Sequence, residues 1–211
     1  MDCYPSCGHA YVKGNKETGW LHCMLCHYPV HPMKLKNPWS QEEVDIWWEN
    51  LQNAAKAGVA SIMKRIDAEK WDRRFLELAK HYSEWSYDPS TKTGAVIVDK
   101  NKRQISQGYN GFAKGVEDKP ERYEDRELKY KLILHSDMNA LLFAKTDLTG
   151  CTYYGYPMLP CIRCAVAIIQ SGITRVVAYK YDYPDRWKSD MDLSREIFAE
   201  ASVDVAELDY I

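Results

Sequence analysis

The stretch 135–164, HSDMNALLFAKTDLTGCTYYGYPMLPCIRC, decides how the rest of the chain is read. It opens on His135-Ser136-Asp137 and closes on Pro160-Cys161-Ile162-Arg163-Cys164. Met138, Leu141, Leu142 and Lys145 recur at helical spacing, so the first part predicts a helix. CTYYGY (151–156) predicts a strand, and CIRCAVAIIQSG (161–172) a second helix ending at Gly172. One helix, one strand and a return loop are enough chain to bring the second helix start beside the first. His135 then heads one helix and Cys161 and Cys164 head the other, where the positive helix end favours thiolates. Cysteines three apart share one helical face, so both sulfurs reach one ion. Three protein ligands with a fourth position left for water are the arrangement of a catalytic zinc. Asp137, two residues after the histidine, supplies a carboxylate to move the proton of that water. A Cys-x-x-Cys alone is often structural; the histidine at this offset and Pro160 before the first cysteine favour the catalytic reading.

Working outward, TGAVIVD (93–99), a turn at DKNKR and QISQGYNG (104–111) predict a β-hairpin. Residues 112–130 are charged and read as a surface loop with a short helix. TRVVAYK (174–180) predicts a strand, DLSREIFAEA (192–201) a helix and VDVAEL (203–208) a last strand. Upstream, Ser40 with Glu43 forms a capping box for a helix near 41–57, stopped at Gly58. A further helix over about 60–85 places Trp71, Phe75, Leu78, Ala79 and Tyr82 on one face. Strands alternating with helices predict an α/β layered sheet with helices on its faces. The expected organisation is a zinc-bearing segment and linker at 1–38, a helical connector at 39–69 and one α/β domain at 70–211.

The chain has 211 residues, 45% hydrophobic and 27% charged, with a formal net charge of −2. That balance argues against affinity that comes mainly from neutralising phosphates, so nucleic acid is not favoured as a partner. No apolar run of about 18 residues exists, and no membrane span is expected. MDCYPSCGHA lacks the basic flank and apolar stretch of a signal peptide, and a reducing, cytoplasmic location is the default. The 7 cysteines then point to metal before disulfides. Cys3, Cys7, Cys23 and Cys26 make two knuckles, CYPSC and LHCMLC, in the manner of a small zinc ribbon. Four thiolates form a closed structural site, and a segment this short needs the metal to fold. His9, His22, His27 and His31 lie nearby and can replace one cysteine, Cys3 most readily. Cys151 reads as a buried small apolar residue.

From about residue 71 to 180 the chain resembles the deoxycytidylate (dCMP) deaminases. The resemblance rests on WSYDPSTKTGAVIVD, GYNGFAKGVED, ERYEDRELKYKLILHSDMNALLFA, DLTGCTYY and LPCIRCAVAIIQSGITRVV, in family order. Several of these lie outside the metal motif, which deaminases share as His-x-Glu and Pro-Cys-x-x-Cys. The resemblance implies a cytidine-deaminase-like three-layer sandwich, with a mixed sheet of about five strands between helices. It implies a hydrolase converting dCMP to dUMP and ammonia, with His135, Cys161 and Cys164 as zinc ligands and Asp137 as proton shuttle. Asn110 would contact the sugar, and the Ser136 backbone the base carbonyl. Arg126 and Lys129 are phosphate candidates by charge; a solvated helix face is the other reading of both. The resemblance also implies a homo-oligomer and dCTP and dTTP as effectors.

Two positions depart from the family. Pro157 stands three residues before Pro160 where the family usually has Thr, and Asp137 replaces the usual Glu. The missing methylene withdraws the carboxylate by roughly 1–1.5 Å, and a displacement of about 1 Å can cost on the order of 10²-fold in rate. Asp137→Glu is therefore expected to speed the reaction, unless the pocket is built around Asp. Three accounts fit: an active site with an adjusted backbone, an engineered change that slows turnover, and a nucleotide-binding protein without catalysis. A cytosine deaminase acting on single-stranded nucleic acid is a further alternative, against which the acidic balance counts.

Overall fold

The computed structural model describes residues 12–14, 21–23, 29–30 and 41–210. The chain divides into two units, Met1–Met63 and Lys64–Ile211. In the first, strands β1 (Val12–Gly14), β2 (Leu21–Cys23) and β3 (Pro29–Val30) form an antiparallel sheet in that order. Cys3, Cys7 and Cys26, expected with Cys23 to hold a structural zinc, lie outside the described residues, and of Cys23 only the backbone is described.

Helix α1 runs unbroken over Gln41–Ser83, 43 residues, where two helices separated at Gly58 were expected. A glycine inside a helix costs about 1 kcal/mol relative to alanine but keeps both backbone hydrogen-bonding groups. Flanking alanines and lysines are strong helix formers, and nothing within 4 Å of Gly58 forces a break.

Strands β4 (Gly94–Val98) and β5 (Gln104–Tyr109) pair antiparallel, as the hairpin pattern predicts. The short β6 (Gly111–Phe112) leads to α2 (Pro120–Glu124) and α3 (Arg126–Leu132), so the charged 112–130 segment holds two short helices rather than one. β7 (Ile133–Leu134) returns to pair with β6 and delivers the chain into α4 (Ser136–Ala144). Then follow β8 (Thr152–Tyr156), α5 (Ile162–Gln170), β9 (Arg175–Tyr179), α6 (Asp185–Glu200) and β10 (Asp204–Leu208). α6 starts at Asp185, a full two turns before the expected start.

The main sheet has five strands in the order β10-β9-β8-β4-β5, with β8, β9 and β10 parallel and β4 antiparallel to both neighbours. This is the expected mixed five-stranded α/β sandwich. Alternation along β4 divides its side chains between the two faces. Ala95 and Ile97 join the core that holds Ala140 of α4, Ala165 and Ile168 of α5 and Phe198 of α6. Val96 and Val98 join the opposite core with Phe75, Leu76 and Ala79 of α1. The α1 stripe packs as its periodicity predicts, with Trp71, Leu78 and Tyr82 at the margin of that second core. Arg175 of β9 ties the layers by forking onto both oxygens of Asp72 at 2.7 and 2.8 Å. Among the described residues no helix is long and apolar enough to cross a membrane.

Candidate active site

Two helix starts define the site. His135 is the N-cap of α4 and Cys161 the N-cap of α5, and neither side chain caps its own helix. An N-cap is ordinarily a residue whose oxygen bonds the first turn; here both side chains are left to face each other. α4 is brought there by close packing on β5. A Cβ at Gly108 would lie 2.2 Å from the Ser136 carbonyl oxygen, so only glycine lets the strand approach the helix start this closely.

His135 Nδ1 lies 3.5 Å from Cys161 Sγ and 3.4 Å from Cys164 Sγ. All three ligand atoms fall within 4.8 Å of one another. Zinc–nitrogen and zinc–sulfur bonds of about 2.0–2.3 Å at tetrahedral angles place N and S about 3.5 Å apart, which is the separation found. The donor set therefore fits zinc in both chemistry and size. His135 is open to solvent and Cys164 buried, so the group is exposed on the histidine side. Cys164 hydrogen-bonds Cys161 and, with His135, pulls the Cys161 thiol down to about 4. The same contact with Cys161, joined by burial, pushes the Cys164 thiol up.

Asp137, in the first turn of α4, is buried beside this group. Burial pushes its carboxyl above the usual carboxylate range, against the opposing effect of a hydrogen bond from Tyr153. That bond, from the phenol to Oδ1, is 2.6 Å long. Tyr153 on β8 was not singled out from sequence, where it reads as one more core aromatic of a strand.

His135, Asp137 and Cys161 line a cavity of about 860 Å³, together with Asn110, Ser136 and Arg126. The predicted site residues outside the N-terminal segment thus meet in one place, Cys164 through its sulfur beneath His135. Asn110 is largely engaged within the protein. Its Oδ1 accepts from the Thr93 N–H at 2.8 Å, and its Nδ2 donates to the Thr91 carbonyl at 2.8 Å and toward Asp88 at 3.4 Å. Lys129, a phosphate candidate by charge, is buried and bonded to Asp88 at 3.1 Å and Ser90 at 2.6 Å. Arg126 remains exposed at the cavity wall, against the ring of Tyr130. Arg163, Arg186 and Trp187 also line the cavity. The last two come from the part of α6 that the sequence reading left outside the helix. Pro157, the departure in the loop before Pro160, follows a cis peptide bond from Tyr156.

Residues 69–180 match the family described as the cytidine and deoxycytidylate deaminase zinc-binding region. An uncharacterized deaminase from the luxG 3′ region of Aliivibrio fischeri is 42% identical over 141 residues, which cover 66% of this chain and 94% of that protein. The deoxycytidylate deaminase of Homo sapiens is 34% identical over 131 residues, 59% of this chain and 73% of that one. The dCMP deaminase of cyanophage S-TIM5, solved with dCMP and dUMP, superposes with a TM-score of 0.51 at 22% identity, over 64% of this chain and 95% of its own. That likeness shows the shared fold. With the matched segment spanning both helix starts and the convergent His135, Cys161 and Cys164, the chain belongs to the cytidine and deoxycytidylate deaminase family.

Proposed function

We propose that the protein is a zinc-dependent hydrolase that converts dCMP and water to dUMP and ammonia. The observation that carries this reading is the meeting of His135, Cys161 and Cys164 beside the buried carboxylate of Asp137 in one cavity. Bound by those three residues, zinc supplies the Lewis acidity that makes water a competent nucleophile near neutral pH. Asp137 would take one proton from water as the water oxygen bonds C4 of the cytosine ring and give it to N3, then carry the proton of the new C4 hydroxyl to the amine as the C4–N bond breaks and ammonia leaves. Burial raises the affinity of Asp137 for a proton above the usual carboxylate range, the direction that favours a group which takes up a proton during the reaction.

Ser136, at the first turn of α4, presents its backbone N–H to the base carbonyl. Both Nδ2 hydrogens of Asn110 are engaged, so its role toward the sugar is to accept a hydroxyl hydrogen bond on Oδ1. Lys129 is paired with Asp88, and of the exposed arginines on the cavity, Arg126, Arg163 and Arg186, Arg126 is assigned the phosphate, which its planar fork suits. Catalysis is assigned to residues 70–211, with 39–69 as a helical connector and 1–38 as a second, structural zinc segment.

The test is ammonia release by the zinc-loaded full chain from dCMP, from a cytosine-containing single-stranded oligonucleotide and from no substrate. Release from dCMP alone is expected. Release from the oligonucleotide at a higher rate, or none from any nucleotide, overturns the reading.

A further inference from the structure

Asp137 is one methylene short of the family's usual glutamate, yet it is held from a neighbouring strand. The Tyr153 hydroxyl donates to Oδ1 at 2.6 Å, and the two residues are 1% and 7% exposed respectively. Gly155 makes room for the ring. A Cβ at Gly155 would lie 2.9 Å from Tyr153 Cε1, 3.0 Å from its hydroxyl oxygen and 3.1 Å from the Met158 carbonyl oxygen. Two residues along one strand share a face of the sheet, so the glycine of YYGY empties the space that the tyrosine ring fills.

A ring packed in the core has few other rotamers open to it. Its hydroxyl is therefore a fixed point, and a short bond from it to a carboxylate fixes the carboxylate in turn. One oxygen of Asp137 is tied down by the phenol, and the other, Oδ2, lies 3.5 Å from the Ser136 hydroxyl. A glutamate that advanced its carboxyl group by roughly 1–1.5 Å toward the phenol would collide with it, since the hydroxyl stands only 2.6 Å from Asp137 Oδ1.

We infer that Tyr153 is a positioning residue that holds the short Asp137 carboxylate in its reactive orientation, with Gly155 making room for it, so that the site is built around Asp rather than Glu. The inference rests on the proposed reaction for its kinetic test and on geometry alone for its structural one. In zinc-loaded enzyme, Tyr153→Phe lowers kcat by about 10- to 100-fold and moves KM by less than about threefold, since the substrate's own contacts are intact. Asp137→Glu alone is slower than the parent chain. The double variant Asp137→Glu/Tyr153→Phe is faster than Asp137→Glu by about tenfold or more, because the lost hydroxyl frees the volume the longer acid needs. Losses that simply multiply in the double variant overturn the inference, and so does an Asp137→Glu enzyme faster than the parent. Crystal structures of the parent and of Tyr153→Phe give a readout free of turnover: the Asp137 carboxylate rotates in the variant, and an unchanged orientation overturns the inference. A parent enzyme inert on every nucleotide sinks the proposed reaction, while the two structures still decide the role of Tyr153. Should Tyr153→Phe not fold, Gly155→Ala displaces the ring with its hydroxyl intact and produces the same fall in kcat; full activity there overturns the inference.

Discussion

Lys129 and Asp88 form an ion pair at 3.1 Å, with 9% and 2% of their side chains exposed, and the pair joins α3 to the loop that carries Ser90, Thr91 and Thr93 along the cavity. The same Asp88 oxygen accepts from the Ser90 backbone and hydroxyl and the Thr91 backbone, at 2.9, 2.9 and 3.1 Å. A buried charge left without its partner is strongly destabilising. Lys129→Met is expected to lower stability by about 3 kcal/mol, read as an earlier urea midpoint at unchanged slope. A variant as stable as the parent would show that the backbone donors alone satisfy Asp88.

Burial by itself would raise the Asp88 carboxyl, but the Ser90, Thr91 and Lys129 bonds outweigh it and hold the group below the usual carboxylate range. A carboxyl with a lower proton affinity folded than unfolded stabilises the fold above its unfolded pKa of about 4, and the contribution is lost as pH falls through the folded value. The stability gap between the parent and Asp88→Asn is therefore expected to be full at neutral pH and to shrink below about pH 4. Urea titrations across that range check it, and a gap independent of pH would contradict the assignment.

Cys164→Ser and Asp137→Ala separate metal binding from proton transfer. Cys164→Ser is expected to lose one zinc per chain and its activity together. Asp137→Ala keeps that zinc and loses on the order of 10²- to 10⁴-fold in kcat. Metal analysis beside steady-state rates tells them apart. In the parent chain two zinc ions are expected, one of them retained by Cys164→Ser if 1–38 holds its own.

Arg126 is one of three exposed arginines on the cavity, with Arg163 and Arg186, and the one proposed for the phosphate. Arg126→Ala is expected to raise KM for dCMP by about 10-fold or more, as for the loss of a charge-assisted hydrogen bond, with little change in kcat. It should leave deoxycytidine, which has no phosphate, unaffected. Equal losses on both substrates would assign the arginine to the architecture of α3 instead.

Gly108→Ala tests the approach of β5 to α4. The added Cβ would meet the Ser136 carbonyl oxygen at 2.2 Å and the Ala140 nitrogen at 2.5 Å, both backbone atoms with no rotamer to yield. A loss of about 1–3 kcal/mol is expected, with the rate falling because His135 and Asp137 ride on the displaced helix.

How much of this was legible in the chain depends on the range of the interaction. Helical and strand periods, and the short spacings of His135 with Asp137 and Cys161 with Cys164, are local properties. A residue's period and its near neighbours follow from backbone geometry, so the alternation of the main strands and helices and the metal group could be read directly, while the sheet of about five strands came from the family resemblance and the short β6 and β7 were not read at all. Gly58 misled because a glycine weakens a helix without breaking it, and the α6 start was missed because its first turns, DRWKSD, are mostly polar and carry no apolar stripe. Lys129 misled for a different reason: a charge in a string announces its sign, not its partner.

By itself, then, the sequence determined the fold class, the three ligands that can hold one ion and the carboxylate beside them, because each is encoded in residues close along the chain or in a recurrent motif. Only the tertiary structure decided which hydrogen bonds those groups make. The Tyr153 phenol meets Asp137, Lys129 turns to Asp88, and Asn110 holds the loop at Thr93. Such contacts join different elements, and their geometry exists only once the sheet and helices have packed and excluded the other rotamers.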